Sequence, residues 1–245
     1  MAVIAVYSVK GGVGKTTIAA NLAWCSAAIS CRRTLLWDLD PAGGAGFLLG
    51  LEAKKKRTAG SVFAKDADPE ALVQKAGVPN LNLLPADESL RALDTVFARM
   101  GKKRRLAKLT EELARRYERI VLDCPPVLNE VSAQVIRAAT VIIVPLPPSP
   151  LSTRAFELVT QEIRAHARDH PPVLPVLSML DRRRALHREA HEGNPSWPAI
   201  PMASAIEQCA VRHQPVGSFA PASPAAKAFG HLWTAIERKL VELKS

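Results

Sequence analysis

Residues 10–17 read KGGVGKTT, set between an apolar β-type run from Ala2 to Tyr7 and a helix-compatible stretch from Thr16 to Ala28. A strand, a glycine-rich turn and a helix in that order form the unit in which a loop cradles phosphates, and the unit belongs to parallel sheets covered by helices. Gly11, Gly12 and Gly14 let the backbone approach an anion with its N–H groups turned inward, and the positive end of the next helix faces the same anion. Lys15 puts a point charge on the β and γ phosphates of a nucleoside triphosphate, and Thr16 offers a hydroxyl to Mg²⁺, which prefers oxygen ligands. With Val13 and Thr17, these residues form the expected nucleotide-binding set. The generic pattern has glycine where this chain has Val9. A second lysine, Lys10, has no task in its own site, because Lys15 already serves the phosphates.

Two further segments carry carboxylates. TLLWDLDP at 34–41 and RIVLDCPP at 119–126 read as buried strands ending in Asp38 with Asp40 and in Asp123. In a parallel sheet the strand ends gather on one edge, beside the phosphate loop. A lone aspartate at a strand end is ordinarily a cap or turn former. Three of them, each after an apolar strand in one chain with the loop, read as a site.

The string KGGVGKTT resembles the deviant phosphate loop of the ParA/MinD family of P-loop ATPases, and the two aspartate segments are similar to that family's other motifs. The resemblance implies that Lys10 crosses a dimer interface to the partner's nucleotide, so that ATP is sandwiched between two subunits. It implies that Asp123 holds Mg²⁺ through water, that Asp38 helps order the metal shell, and that Asp40 orients the attacking water. Lys10, Lys15 and Asp40 are then catalytic, while Thr16, Asp38 and Asp123 serve the metal, with ATP and Mg²⁺ as cofactors. The chain also departs from the pattern. The family usually follows its DxDP with Gln-Gly-Asn, whereas Ala42, Gly43 and Gly44 stand here, which implies hydrolysis that is slow or more dependent on a partner. Thr140 replaces a common aspartate before the next strand.

A chain of 245 residues, 48% of them hydrophobic, can bury one large core, and no linker or repeat divides it, so a single domain over 1–245 is expected. Periodicity places strands near 2–7, 34–39, 80–85, 119–123, 140–145, 173–178 and 198–201, alternating with helical stretches that include 103–117, 151–168 and 222–243. That rhythm predicts an α/β fold, a mostly parallel twisted sheet with helices on both faces. No signal peptide and no run of 18 apolar residues is present, so a cytoplasmic protein is expected. Cys25, Cys31, Cys124 and Cys209 lack metal-ligand spacing and read as reduced thiols, which argues against the nitrogenase iron-protein type of ATPase. His187 with His191 and His166 with His170 each lack a third ligand, and are read as solvated helix faces.

Lys plus Arg number 33 against 23 Asp plus Glu, a net +10 that points to a polyanionic partner. Basic clusters stand at Lys54 to Arg57, Lys102 to Arg105, Arg115 with Arg116 and Arg119, Arg182 to Arg184 with Arg188, and Arg212 with His213. Each alone is ordinarily a solvated face. ParA-like proteins bind DNA without sequence preference through basic residues of their C-terminal half, which the resemblance carries to the region of Arg182, Arg183, Arg184 and Arg212. Aromatics at 5% argue for phosphate contacts on duplex DNA rather than base stacking. Phe229, Leu232, Trp233, Ile236, Leu240 and Leu243 form a helical stripe that closes a core on one reading and anchors a MinD-like protein to a membrane on the other. Glu237 and Glu242 dilute the polar face and favour the core. The expectation is a ParA-like ATPase that dimerises on ATP, binds nucleoid DNA, and is released by a ParB-like or cargo-adaptor protein that stimulates hydrolysis, with a nucleotide-gated switch of negligible turnover as the alternative. No DNA-reading domain precedes the first strand, so operator binding is not expected.

Overall fold

The central strands are apolar on both faces, a pattern that only a sheet covered on both sides satisfies. The computed structural model describes all residues except 54–57, 65–66, 101–103, 167–169 and 245, and contains such a sheet. Its strands are β1 (Ala2–Val6), β2 (Thr34–Asp38), β3 (Gln74–Lys75), β4 (Leu81–Leu84), β5 (Arg119–Asp123), β6 (Val141–Leu146), β7 (Val173–Leu180) and β8 (Ala199–Pro201). They lie in the order β3-β4-β2-β5-β1-β6-β7-β8, and every pairing is parallel except β3 with β4. Alternate residues separate into two cores. Ile4, Val6, Leu36, Val121 and Ile143 face one side, and Val3, Ala5, Leu35, Trp37, Leu122 and Ile142 face the other.

The connections begin with α1 (Lys15–Trp24), which runs into a π-helical turn at Cys25–Ile29, then α2 (Gly44–Leu48), α3 (Ala59–Ala64), α4 (Leu93–Met100) and α5 (Arg105–Leu113). They continue with α6 (Glu130–Ala138), α7 (Pro150–His166), α8 (Ala185–Glu192), α9 (Ser204–Arg212), α10 (Val216–Phe219) and α11 (Pro224–Glu242). Apolar residues of α1, α2, α9, α10 and α11 fill the first core, and those of α3 to α7 fill the second. Local chemistry sets several starts: Asn129 and Ser132 form a capping box on α6, and Ser223 caps α11 with Pro224 in its first turn.

The expected strands are all present, with ends shifted by one or two residues. β3 was not expected, because two residues on a sheet edge carry no periodic pattern. The helix expected at 103–117 is the shorter α5, and part of its basic cluster, Lys102 and Lys103, lies outside the described residues together with Lys54 to Arg57. Arg105 and Arg119 are not surface charges. Arg105 is buried and donates to the carbonyls of Val62 and Phe63, while Arg119 forms a two-pronged pair with Glu237 of α11 at 2.7 and 2.9 Å.

The C-terminal stripe closes the core. Phe229, Leu232, Trp233, Ile236 and Leu240 are buried and only Leu243 stays exposed, while Trp233 Nε1 donates to Ser30 Oγ at 2.8 Å. Among the described residues no helix is long and apolar enough to cross a membrane. The Arg119–Glu237 pair gives a stability prediction. Glu237→Ala leaves the buried guanidinium without its carboxylate and is expected to cost about 3 kcal/mol in chemical denaturation, whereas Arg119→Met with Glu237→Leu restores most of that loss. Equal destabilisation by the single and the double change would contradict this.

Candidate functional site

Backbone register builds the site. Val6 of β1 pairs with Asp123 of β5, and Asp123 pairs with Asp38 of β2, so the phosphate loop and both strand-end carboxylates emerge side by side on one sheet edge. The loop turns at Gly12 (φ 69°) and Gly14 (φ 89°), values that disfavour a side chain. Gly14 caps α1 with no side-chain hydrogen bond, which leaves the first N–H groups of the helix facing the loop. Val13 is buried beneath it, and Gly11, Thr16 and Thr17 stand at least partly exposed. Lys15 is buried, with its Nζ 3.3 Å from the Lys10 carbonyl oxygen. Burial lowers its pKa, and Asp123 and Asp40 oppose that shift. Lys10 is partly exposed, and its ammonium has no hydrogen bond or ion pair among the described residues.

The three aspartates differ in environment. Asp38 is fully buried, with Oδ1 accepting the Asp40 N–H and Oδ2 the Ala45 N–H, each at 3.0 Å. Burial still pushes its carboxyl up to about 7, although these amide bonds pull the other way. Asp123 is also fully buried, and neither of its oxygens has a hydrogen-bond partner among the described residues. Its pKa is raised well above the ordinary value, first by burial and then by the neighbouring Asp38. Thr16 and Lys15 favour its charged form, the Thr16 hydroxyl without reaching hydrogen-bonding geometry. A desolvated carboxylate with both oxygens open, beside a hydroxyl and a second carboxylate, is a donor set suited to a hard divalent cation. Asp40 is half buried; its Oδ1 accepts from Ala42 N–H at 3.0 Å, and its Oδ2 has no partner among the described residues.

Sequence reasoning treated Gly43 and Gly44 only as lost polar side chains. In the structure Gly43 takes φ 68°, and a Cβ on Gly44 would lie 3.1 Å from Thr16 Cγ2 and 3.3 Å from Thr16 Oγ1. The glycine pair therefore lets the turn after Asp40 pack against the metal-side face of the loop. Ser8, whose Oγ accepts the Lys10 N–H at 3.3 Å, was also missed. No sequence signal marks it apart from its place before the loop.

The four arginines stand on two segments, one after β7 and one at the end of α9. Arg182, Arg183 and Arg184 follow β7 and are exposed, but Arg183 is held by both oxygens of Asp181 at 2.9 and 3.0 Å. Arg182 meets His191 Nε2 at 3.1 Å. Arg212 ends α9, with its guanidinium 5.0 Å from the Phe219 ring centre. His187 corrects the reading of a solvated face: it is buried, and its Nδ1 accepts the Asp181 N–H at 3.0 Å, which holds the start of the arginine turn. The side chain of His166 lies outside the description.

Residues 1–174 match the family model described as an AAA domain. The chain is 33% identical over 146 residues to the sporulation initiation inhibitor protein Soj of Bacillus subtilis, an alignment covering 59% of this chain and 57% of that protein. It is 32% identical over 215 residues to the chromosome partitioning protein ParA of Caulobacter vibrioides, covering 81% and 79%. The septum site-determining protein MinD of Pyrococcus horikoshii, solved with Mg-ADP, superposes with a TM-score of 0.79 at 24% identity over 100% of this chain and 98% of that one. Cobyrinic acid a,c-diamide synthase of Mycobacterium smegmatis, solved with an ATP analogue and magnesium, gives 0.74 at 26% over 87% and 91%.

The carboxylate pair predicts an unusual pH response. Burial pushes the Asp38 carboxyl up to about 7 in the fold from an ordinary 3.8, so between those values the folded state holds an extra proton and its stability falls as pH rises. Asp123→Asn removes the open charge and is expected to raise ligand-free stability at pH 7 by on the order of 2 kcal/mol, roughly 4–8 °C. The gain should shrink toward pH 4, and the Mg²⁺ dependence of nucleotide binding should disappear. Thermal unfolding between pH 4 and 8 measures this, and a variant less stable than wild type at pH 7 would count against it.

Proposed function

The chain belongs to the ParA/MinD family of P-loop ATPases, and from that premise we propose that it is a partition or positioning ATPase whose ATP-bound dimer holds DNA until a partner stimulates hydrolysis. ATP and Mg²⁺ are the ligands of the site. The observation that carries the reading is the open Asp123 carboxylate, held in register with Asp38 and facing Lys15 and Thr16 at the start of a helix that has no side-chain cap.

The loop N–H groups and Lys15 bind the phosphates, while Thr16 and Asp123 would hold Mg²⁺. When bound, the ion neutralises charge on the β and γ oxygens. Asp38 works through its amide bonds, which fix the turn that carries Asp40. Asp40, with its Oδ2 open, orients a water whose oxygen bonds to the γ phosphorus as the bond to the ADP oxygen breaks. Lys10, partly exposed and with no side-chain partner among the described residues, is on this reading the group that enters a second subunit's site. The protein acts in the cytoplasm on the nucleoid, where Arg182, Arg183, Arg184 and Arg212 meet DNA phosphates without reading sequence, and the stimulating partner is a ParB-like or cargo-adaptor protein. The membrane reading has little left to rest on, since the stripe of α11 packs into the core. One observation favours a second reading, a nucleotide-gated switch with negligible turnover: Ala42, Gly43 and Gly44 bring no polar side chain to the γ-phosphate side.

Lys10→Ala is expected to bind ADP normally and to lose ATP-dependent dimerisation, whereas Asp40→Ala keeps the ATP dimer and loses turnover. Light scattering with ATP and phosphate release measure the pair. Normal dimers from Lys10→Ala would remove the cross-subunit role, and phosphate release by wild type no faster than by Asp40→Ala would select the switch.

Affinity of the ATP state for random duplex DNA should fall steeply with salt, and each lost arginine contact should flatten the log-log slope by about 0.9. Arg184→Ala and Arg212→Ala should show this more clearly than Arg183→Ala, whose guanidinium exchanges one anion, Asp181, for another. A salt slope in Arg184→Ala and Arg212→Ala as steep as that of wild type would exclude the assignment.

A further inference from the structure

On the edge of the sheet opposite the phosphate loop, at the N-terminal ends of β2 and β4, lies a cavity of about 670 Å³. Arg33 before β2, Lys75 of β3 and Arg116 after α5 all line it, and among the described residues no carboxylate does. Glu118 lies 3.6 Å from Arg33 and Glu70 lies 2.8 Å from Arg116, but both arginines remain mostly exposed and Lys75 has no ion pair among the described residues. The inner lining adds donors. Tyr117, 6% exposed, accepts the Asn82 Nδ2–H at 3.0 Å, so its own O–H has no acceptor among the described residues. Burial raises the pKa of this phenol and keeps it a donor. Gly77 lines the rim with open space where a Cβ would stand, so nothing obstructs the mouth there.

Cations at the end of α5 serve the helix dipole in many folds. That accounts for Arg116. It does not account for Lys75 of β3 or for Arg33 just before β2, which line the same hollow. Three cations from three separate segments, two of them exposed beside carboxylates outside the lining, stand over a buried hydroxyl donor with no lining carboxylate among the described residues, a lining rich in donors and matched to an acceptor-only ligand.

We propose that this cavity is a second phosphate-binding site, in which Arg33, Lys75 and Arg116 pair with the oxygens of a phosphate ester and Tyr117 donates to one of them. It is separate from the nucleotide centre, since the length of β2 lies between the two, about 13 Å of strand. The site does not depend on the function proposed above. Its phosphate comes either from a nucleic-acid backbone or from a free phosphate ester, and the two sources are separated by experiment.

The test is calorimetric titration of inorganic pyrophosphate into wild type, Lys15→Ala, and Lys15→Ala with Lys75→Ala and Arg116→Ala added. Lys15→Ala is expected to retain one pyrophosphate site, and the added changes to weaken it by roughly ten-fold per lost cation. Tyr117→Phe in the Lys15→Ala background, which keeps the packing, should weaken it less. No pyrophosphate binding to Lys15→Ala, or equal binding after the added changes, would overturn the proposal. Failure of the nucleotide reading has a different signature, an unchanged stoichiometry between wild type and Lys15→Ala. In a parallel assay on random duplex DNA, lower affinity of Lys75→Ala/Arg116→Ala assigns the phosphate to a nucleic-acid backbone, and unchanged DNA affinity beside lost pyrophosphate binding assigns it to a free ester.

Discussion

Asp38 and Asp123 end neighbouring strands in register, and both carboxyls are fully buried. Two carboxylates so placed cannot both ionise without a cation between or beside them. The surrounding arrangement follows from that constraint. Asp38 is partly relieved by two backbone N–H groups, Lys15 is drawn into a buried position where the Asp123 charge supports its own, and Thr16 turns toward Asp123. One carboxylate is left with both oxygens open. The ligand-free fold therefore carries an electrostatic cost that a bound cation removes, which couples ligand binding to stability.

The amide bonds that satisfy Asp38 also connect the site to the C-terminal half of the chain. They fix the turn from Asp40 into the start of α2, and Phe47 of α2 meets His213, whose Nδ1 lies 2.7 Å from the Phe47 carbonyl oxygen and whose ring stands edge-on to Phe47. Arg212 is its chain neighbour. On the other side, α1 carries Lys15 and Thr16 at its start, while Asn21 accepts the Val216 N–H at 2.8 Å and Trp24 packs where Gly217 has no Cβ. A side chain at 217 would meet the Trp24 ring within 2.2 Å, so that glycine is required by packing rather than by its backbone angles. Nucleotide loop, α2, α9 and α10 thus form one contiguous set of contacts.

The positive charge of the chain divides into several tasks. Arg105 and Arg119 are internal, satisfied by carbonyls and by Glu237. Arg183 is neutralised locally by Asp181. Arg184 and Arg212 are exposed near the C-terminal rim, and Arg33, Lys75 and Arg116 converge on the far edge. Net charge alone predicts an anionic partner but not which surface meets it, because burial and ion pairing decide which cations remain available.

The strands, the phosphate loop and the three aspartates were legible in sequence, because an unbroken apolar run, a glycine pattern and a strand-end carboxylate are local signals that keep their meaning in any parallel sheet. The roles of individual side chains were not. His187 looks like half of a solvated pair until β7 and α8 pack and bury it against the Asp181 N–H, and Arg119 looks like a surface charge until α11 brings Glu237, 118 residues away, within 2.7 Å. Gly44 looks like a deletion of function until the turn brings it against Thr16. The sequence by itself determined which residues form the edge of the sheet where a nucleotide binds, since period and motif are properties of neighbouring positions. Only the tertiary structure decided which carboxylate is left open, which cations stay exposed and which of them share a cavity, because desolvation and pairing depend on distances between residues far apart in the chain.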